Sequence, residues 1–241
     1  MIGTYDLVVA LLSVAISLGM VGVCLRQKIF RRYFFINLYI LVSAAHTLGT
    51  LYFIHYYGYR SLTYFYFYYT GDAVGSMIGY LLIASFFDKL LRDSVFRPYI
   101  RPTLGIFFIM VVGISALFVW RNYSTLYSSF LIELQQNMFF VGVLLTFLLW
   151  LSMNYLHAES RRFVLLVSGL GIYFSAHAAN YALQFLSSGL KNALTMVPPL
   201  AYTLMVALWL YTFWRVPEGE AAVAPVPRPE ESLVKVKISS E

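Results

Sequence analysis

Runs of about twenty apolar residues recur along this chain, and each is long enough to cross a bilayer core of about 30 Å as a helix. Seven such stretches stand out, at residues 6–25, 34–56, 62–87, 103–120, 127–154, 163–186 and 195–214. Each is continuously apolar and lacks the period-two alternation of short membrane strands, so helices are expected and not a barrel. Composition agrees. Of 241 residues, 60% are hydrophobic and 12% charged, against about 45–50% and about 25% in a soluble domain. A water-soluble enzyme and a nucleic-acid-binding module are both excluded. The expected fold is all-α: a polytopic membrane protein built as a seven-transmembrane-helix bundle, with the lipid bilayer as its first partner.

The charges report topology. Arg26, Lys28, Arg31 and Arg32 fall in the first connection, Lys89, Arg92, Arg97 and Arg101 in the third, Arg161 and Arg162 in the fifth, and Arg215 after the last span. The alternate connections hold Arg60, Arg121 and Lys191. Basic residues stay on the cytoplasmic side, so this asymmetry predicts an N-terminus outside and a C-terminus in the cytoplasm; the plasma membrane is the expected location. The first six residues carry no basic segment and the first span no small-residue cleavage site, so that span is expected to be a retained helix and not a signal peptide. Residues 1–215 form the expected helical domain. Residues 216–241, punctuated by Pro217, Pro225, Pro227 and Pro229, cannot bury enough apolar area to order themselves and are expected to be a flexible cytoplasmic tail. The one cysteine, Cys24, can form neither an intramolecular disulfide nor a cysteine-based zinc site, and no role is assigned to it.

Polar side chains inside the spans demand an account, because a central Asp costs about 2.5–3.5 kcal/mol to insert. They are His46 in the second span, Asp72 in the third, Glu133 with Gln136 and Asn137 in the fifth, and His177 with Asn180 and Gln184 in the sixth. At ~1.5 Å per residue, His46, Asp72, Glu133 and His177 lie roughly 15–21 Å above the cytoplasmic boundary, which brings four helices to one layer near the midplane. Tyr39, Ser43, His46 and Thr50 share one helical stripe, as do Tyr173, His177, Asn180 and Gln184. Gly71, Gly75 and Gly79 recur every four residues and form a seam of small residues beside Asp72 and Ser76. His46, Asp72 and His177, with Tyr69, Glu133, Tyr173 and Asn180 as neighbours, are the candidate ligand-binding residues. Hydrogen-bonded contact between helices is the competing account of the same groups.

Eight tyrosines, at positions 52, 56, 57, 59, 64, 66, 68 and 69, crowd the ends of the second and third spans and the loop between them. Tyrosine favours the membrane interface, so an anchoring belt is one reading. A vestibule that admits an amphipathic or cationic ligand by stacking and cation–π contact is the other.

Three function classes follow. The chain resembles in its topology the seven-helix sensor regions that precede bacterial signalling domains, which implies a receptor-like module with a polar midplane cavity open to the outside. Such a module would bind a small or lipid-like ligand and signal through a separate cytoplasmic protein. Ser43, His46, Asp72 and His177 also resemble the ligand set of seven-helix ceramidase-like hydrolases, which implies a zinc-activated water. Those hydrolases carry a His-x-x-x-His pair on the last helix, and this last span has no histidine. Axial haem ligation by His46 and His177 belongs to the same class. An ion-coupled transporter is the third, since buried Asp and His suit relays. The receptor or sensor reading leads, with no catalytic residue, no metal and no cofactor assigned.

Overall fold

The computed structural model describes residues 4–92, 94, 97–120, 126–156, 160–186 and 196–217. Among them are seven helices: α1 (Thr4–Arg26), α2 (Phe34–Tyr57), α3 (Leu62–Leu90), α4 (Arg97–Trp120), α5 (Leu126–Leu156), α6 (Arg161–Leu186) and α7 (Val197–Arg215). All seven are long and apolar enough to cross a membrane. The tail beyond Pro217 lies outside the described residues.

Helix ends follow local chemistry. The Ser61 hydroxyl accepts from Tyr64 N–H at 3.1 Å and caps α3. Gly58, at φ 76°, closes α2 and donates to the Ile54 carbonyl. Pro198 and Pro199 stand in the first turn of α7, where no intrahelical N–H is needed. Helix α4 begins six residues before the expected span. Arg97 and Arg101 reach Asp88 at the end of α3, at 3.8 and 3.1 Å, so basic residues that read as a loop form a helical turn beyond the apolar core. Pro102 lies inside this helix.

Six helices close a ring in the order α1, α2, α3, α5, α6, α7, with α7 returning to α1, while α4 packs outside it against α5 and more lightly against α3. Its lipid-like exterior is plain: Ile106, Ile109 and Leu117 are 66–71% exposed, a surface too costly for water and suited to hydrocarbon. Inside the ring, aromatic side chains bridge the space. Tyr39 of α2 meets Tyr173 of α6 at 6.2 Å and Trp209 of α7 at 6.4 Å between ring centroids. Phe174 of α6 lies between Gly79 of α3 and Gly142 of α5, where a methyl group at Gly142 would overlap its ring. The Trp209 indole donates to the Leu166 carbonyl at 2.9 Å, over Gly169.

Packing of α2 and α3 is uneven along the membrane normal. Met20, Cys24, Ile36, Ile40, Leu82, Ile83, Leu149, Met153, Leu166 and Phe213 are almost fully buried, and all lie toward the end that carries the α1–α2 and α3–α4 connections. Toward the other end, α2 has no buried residue after Ala44 and α3 none before Ala73. The contact of α2 with α3 is thus close-packed at the first end and half-buried at the second, while α5 keeps Leu134, Gln135 and Met138 buried at that second end.

Candidate functional site

His46 and Asp72 sit where α2 and α3 pass from buried to half-buried. His46 lies two residues beyond Ala44, the last buried position of α2, and Asp72 immediately precedes Ala73, the first of α3. Antiparallel pairing of these neighbours brings the side chains together, with Nδ1 of His46 3.5 Å from Oδ1 of Asp72. Their side chains remain 16% and 23% exposed. The imidazole occupies the space over Gly71, where a methyl group would overlap it, and its ring is 5.5 Å from Phe67 and 5.9 Å from Tyr68.

Helix α5 supplies the third member through a residue that sequence reasoning passed over. Gln135 Nε2 donates to Oδ2 of Asp72 at 3.1 Å. The signal was in the periodicity: Leu131, Leu134, Gln135, Met138 and Phe139 are all buried and follow i, i+3, i+4, i+7, i+8, which puts Gln135 on the inward stripe of α5. Glu133 stands off that stripe. It is half-buried, and no ion pair or hydrogen bond joins it to His46, Asp72 or His177 among the described residues. Asn137 instead clips α5 to α4 by donating to Ser115 Oγ at 2.9 Å. The Tyr68 hydroxyl, one turn before Asp72, also approaches the carboxylate.

His177 enters the same neighbourhood differently. Its ring stacks on Phe139 at 4.1 Å and 12°, and lies 4.4 Å from Tyr173. It is not paired with Asp72. Of the four ionisable groups expected in one layer, the structure joins His46 and Asp72 as an imidazole–carboxylate pair with the Gln135 amide, and stacks His177 on Phe139. Tyr173 is buried, Tyr69 packs on Phe65 at 4.5 Å, and Asn180 is buried with Oδ1 unpartnered within the protein. His46 Nε2 and Thr50 Oγ1 likewise have no protein partner.

Below the pair runs a set of hydroxyls. Ser17 of α1 and Tyr202 of α7 are 3.2 Å apart, and Ser43 of α2 lies within reach of both Tyr202 and Tyr39. Tyr39 in turn approaches Tyr173. Polar groups of α1, α2, α6 and α7 thus adjoin the polar groups of α2, α3 and α5.

The tyrosine run divides into two populations. Tyr52, Tyr56, Tyr57, Tyr59 and Tyr66 are 47–66% exposed and suit the interfacial belt. Tyr64, Tyr68 and Tyr69 are half-buried on the approach to Asp72. The glycine seam divides as well: Gly71 seats His46 and Gly79 faces Phe174 and Tyr39, while a Cβ at Gly75 would touch nothing.

Among the described residues no three His, Cys, Asp or Glu side chains gather as metal ligands. His46, Asp72 and His177 do not assemble into the set that the resemblance to ceramidase-like hydrolases implies. Two apolar grooves, of about 420 and 360 Å³, lie on the outer face of α5 and α6, lined by residues such as Phe140, Phe147, Gly171 and Ser175. They do not include His46 or Asp72. Set against protein-family models, curated proteins and solved structures, the chain matches none.

Proposed function

We propose that this integral membrane protein is a receptor-like or sensory seven-helix module whose ligand site is the His46–Asp72–Gln135 cluster. The observation that carries the reading is the position of that cluster: a polar pair, still partly exposed, at the level where α2 and α3 pass from buried to half-buried. A ligand entering from the end of the α2–α3 connection would meet polar groups from α2, α3 and α5 at once, and the hydroxyls of α1, α6 and α7 lie next to them. Any preference for one helix arrangement would then shift the population of the whole ring. The basic residues of the α1–α2, α3–α4 and α5–α6 connections support an inside location for the packed end and an outside location for the tyrosine-rich end. The site then opens outward, and the cytoplasmic connections are the surface from which a separate signalling protein reads the state.

A thermal-stability screen of the purified protein against small and lipid-like compounds tests this. A ligand at 100 times its Kd adds about 2.7 kcal/mol, and that gain should vanish in Asp72→Asn. A screen in which no class stabilises the wild type overturns the reading.

A further inference from the structure

We infer that the α1–α2 connection binds the headgroup of an anionic phospholipid. The connection carries Arg26, Lys28, Arg31 and Arg32 within seven residues, and all four are exposed. Between Asp6 and Asp72 the sequence holds no acidic residue, so neither the connection nor the nearby turns of α1 and α2 can neutralise these cations. At this end of the bundle the one carboxylate among the described residues is Asp88, which Arg97 and Arg101 already hold. No acid among the described residues pairs with Arg26, Lys28 or Arg31.

The cations stand on a folded frame. Lys28 and Ile29 close α1 by donating to the Leu25 and Cys24 carbonyls, and the N–H groups of Arg32 and Tyr33 donate to the Ile29 carbonyl at 3.0 and 3.2 Å. The buried Asn37 amide donates to the Phe30 and Tyr33 carbonyls at 3.3 and 3.0 Å. Gln27 fastens the frame to the Phe213 carbonyl at 2.8 Å, and Tyr33 packs edge-on against the Phe213 ring at 4.9 Å. Two more cations are drawn beside it by these contacts. The Lys89 ammonium of α3 lies 4.2 Å from the centre of the Tyr33 ring, and Arg215, exposed, follows Phe213 by two residues. A backbone fixed in this way loses little further freedom when its cations take up an anion.

Position favours a lipid over an acidic protein segment. Leu25 at the end of α1 and Phe34 and Phe35 at the start of α2 flank the cations and are 58, 48 and 36% exposed. Positive charge thus adjoins apolar surface at the edge of two membrane-spanning helices, where a phosphate and its acyl chains can be met together. The excess of basic residues predicts that this end faces the cytoplasm, where the leaflet is rich in anionic lipids, and each nearby Lys or Arg strengthens their binding about five-fold.

Thermal unfolding of the whole chain in a non-ionic detergent, titrated with dioctanoyl phosphatidylglycerol and dioctanoyl phosphatidylserine beside dioctanoyl phosphatidylcholine and glycerophosphate, tests the inference. The two anionic lipids should give saturable stabilisation that salt weakens, and the other two compounds none. Combining Arg26→Gln, Lys28→Gln and Arg31→Gln should weaken the anionic lipids about ten-fold or more. Arg31→Gln alone, with less burden on the fold, should weaken them about five-fold. Arg60→Gln at the other end of the bundle, and Arg101→Gln, whose charge Asp88 already matches, should bind as the wild type does. Equal stabilisation by phosphatidylcholine would mean that acyl chains alone are bound, and equal stabilisation by glycerophosphate that any small anion is; either result overturns the inference. So does an undiminished response in both the triple variant and Arg31→Gln, or a loss as large in Arg101→Gln. Stabilisation by a polyglutamate peptide with none by the anionic lipids gives the surface to an acidic protein segment and overturns the lipid assignment. None of these outcomes bears on the His46–Asp72 site.

Discussion

Nδ1 of His46 stands 3.5 Å from Oδ1 of Asp72 across the α2–α3 contact, at the level where both helices pass from buried to half-buried. The separation is that of an ion pair or a long hydrogen bond, and both side chains keep some exposure. Interhelical polar contacts in membrane proteins contribute about 0.6 kcal/mol on average and at most about 1.7. A double-mutant cycle of His46→Gln and Asp72→Asn, read by thermal unfolding in detergent, should therefore give a coupling of about 0.5–1.5 kcal/mol. Zero coupling would mean that the two groups do not interact in the folded protein.

Two glycines of the α3 seam, Gly71 and Gly75, should respond differently to alanine. A methyl group at Gly71 would overlap the His46 ring, so either the backbone of α3 or the imidazole must move. Overpacking of this kind costs about 1–3 kcal/mol, and the His46–Asp72 coupling should disappear with it. At Gly75 the added Cβ meets nothing, and the gain in helix propensity makes Gly75→Ala neutral or stabilising. Thermal unfolding of the two variants side by side checks the contrast; equal losses would show that the seam acts through helix approach alone.

The seven spans were legible because hydropathy over twenty residues is a strong signal, and the inward stripes of α2 and α6 were legible because polar residues mark them. The rotation of α5 was harder. Lipid is as apolar as the protein interior, so the usual contrast between inner and outer faces fades, and Glu133 drew attention by its charge while Gln135 was passed over. Only the spacing of Leu131, Leu134, Gln135 and Met138 points to the inward face. His177 was rightly placed beside Tyr173, but no local pattern says that its ring lies flat on Phe139 of another helix. The displacement of α4 outside the ring is a property of helix packing across the whole chain, and no single span encodes it. Its early start depends on the pairing of Arg97 and Arg101 with Asp88 of α3.

Lys28 is the one described residue other than glycine with a positive φ, 58°. It follows α1 in a Schellman arrangement: Lys28 N–H donates to Leu25 O and Ile29 N–H to Cys24 O, each at 3.0 Å. A residue with a Cβ pays about 1–2 kcal/mol in this conformation, and glycine would give back about 0.5–1 through the greater freedom of its unfolded chain. Lys28→Gly should thus stabilise the protein by roughly 0.5 kcal/mol. Lys28→Val should destabilise it, because a β-branched side chain tolerates positive φ poorly. Melting temperatures of both variants decide the matter, and a stabilising valine would contradict the left-handed geometry.

Arg162 ties the end of α7 to the start of α6. Only 5% exposed, it donates from Nε and Nη2 to the Val216 carbonyl at 2.9 and 2.6 Å, and its guanidinium lies 5.5 Å from the centre of the Phe213 ring. Gln27 donates to the Phe213 carbonyl at 2.8 Å, so the last carbonyls of α7, which no helical N–H can reach, are satisfied from α6 and from the α1–α2 connection. Charge-assisted hydrogen bonds contribute about 1.5–3 kcal/mol. Arg162→Ala should cost about 2–3 kcal/mol in thermal unfolding. It should also speed proteolytic cleavage at the junction after Arg215, because the chain beyond α7 loses its anchor. Arg162→Lys should recover part of the stability through its charge but not the two-pronged contact, since an ammonium group lacks the planar fork. A lysine variant as stable as the wild type, with unchanged cleavage, would show that charge alone holds this end of the bundle.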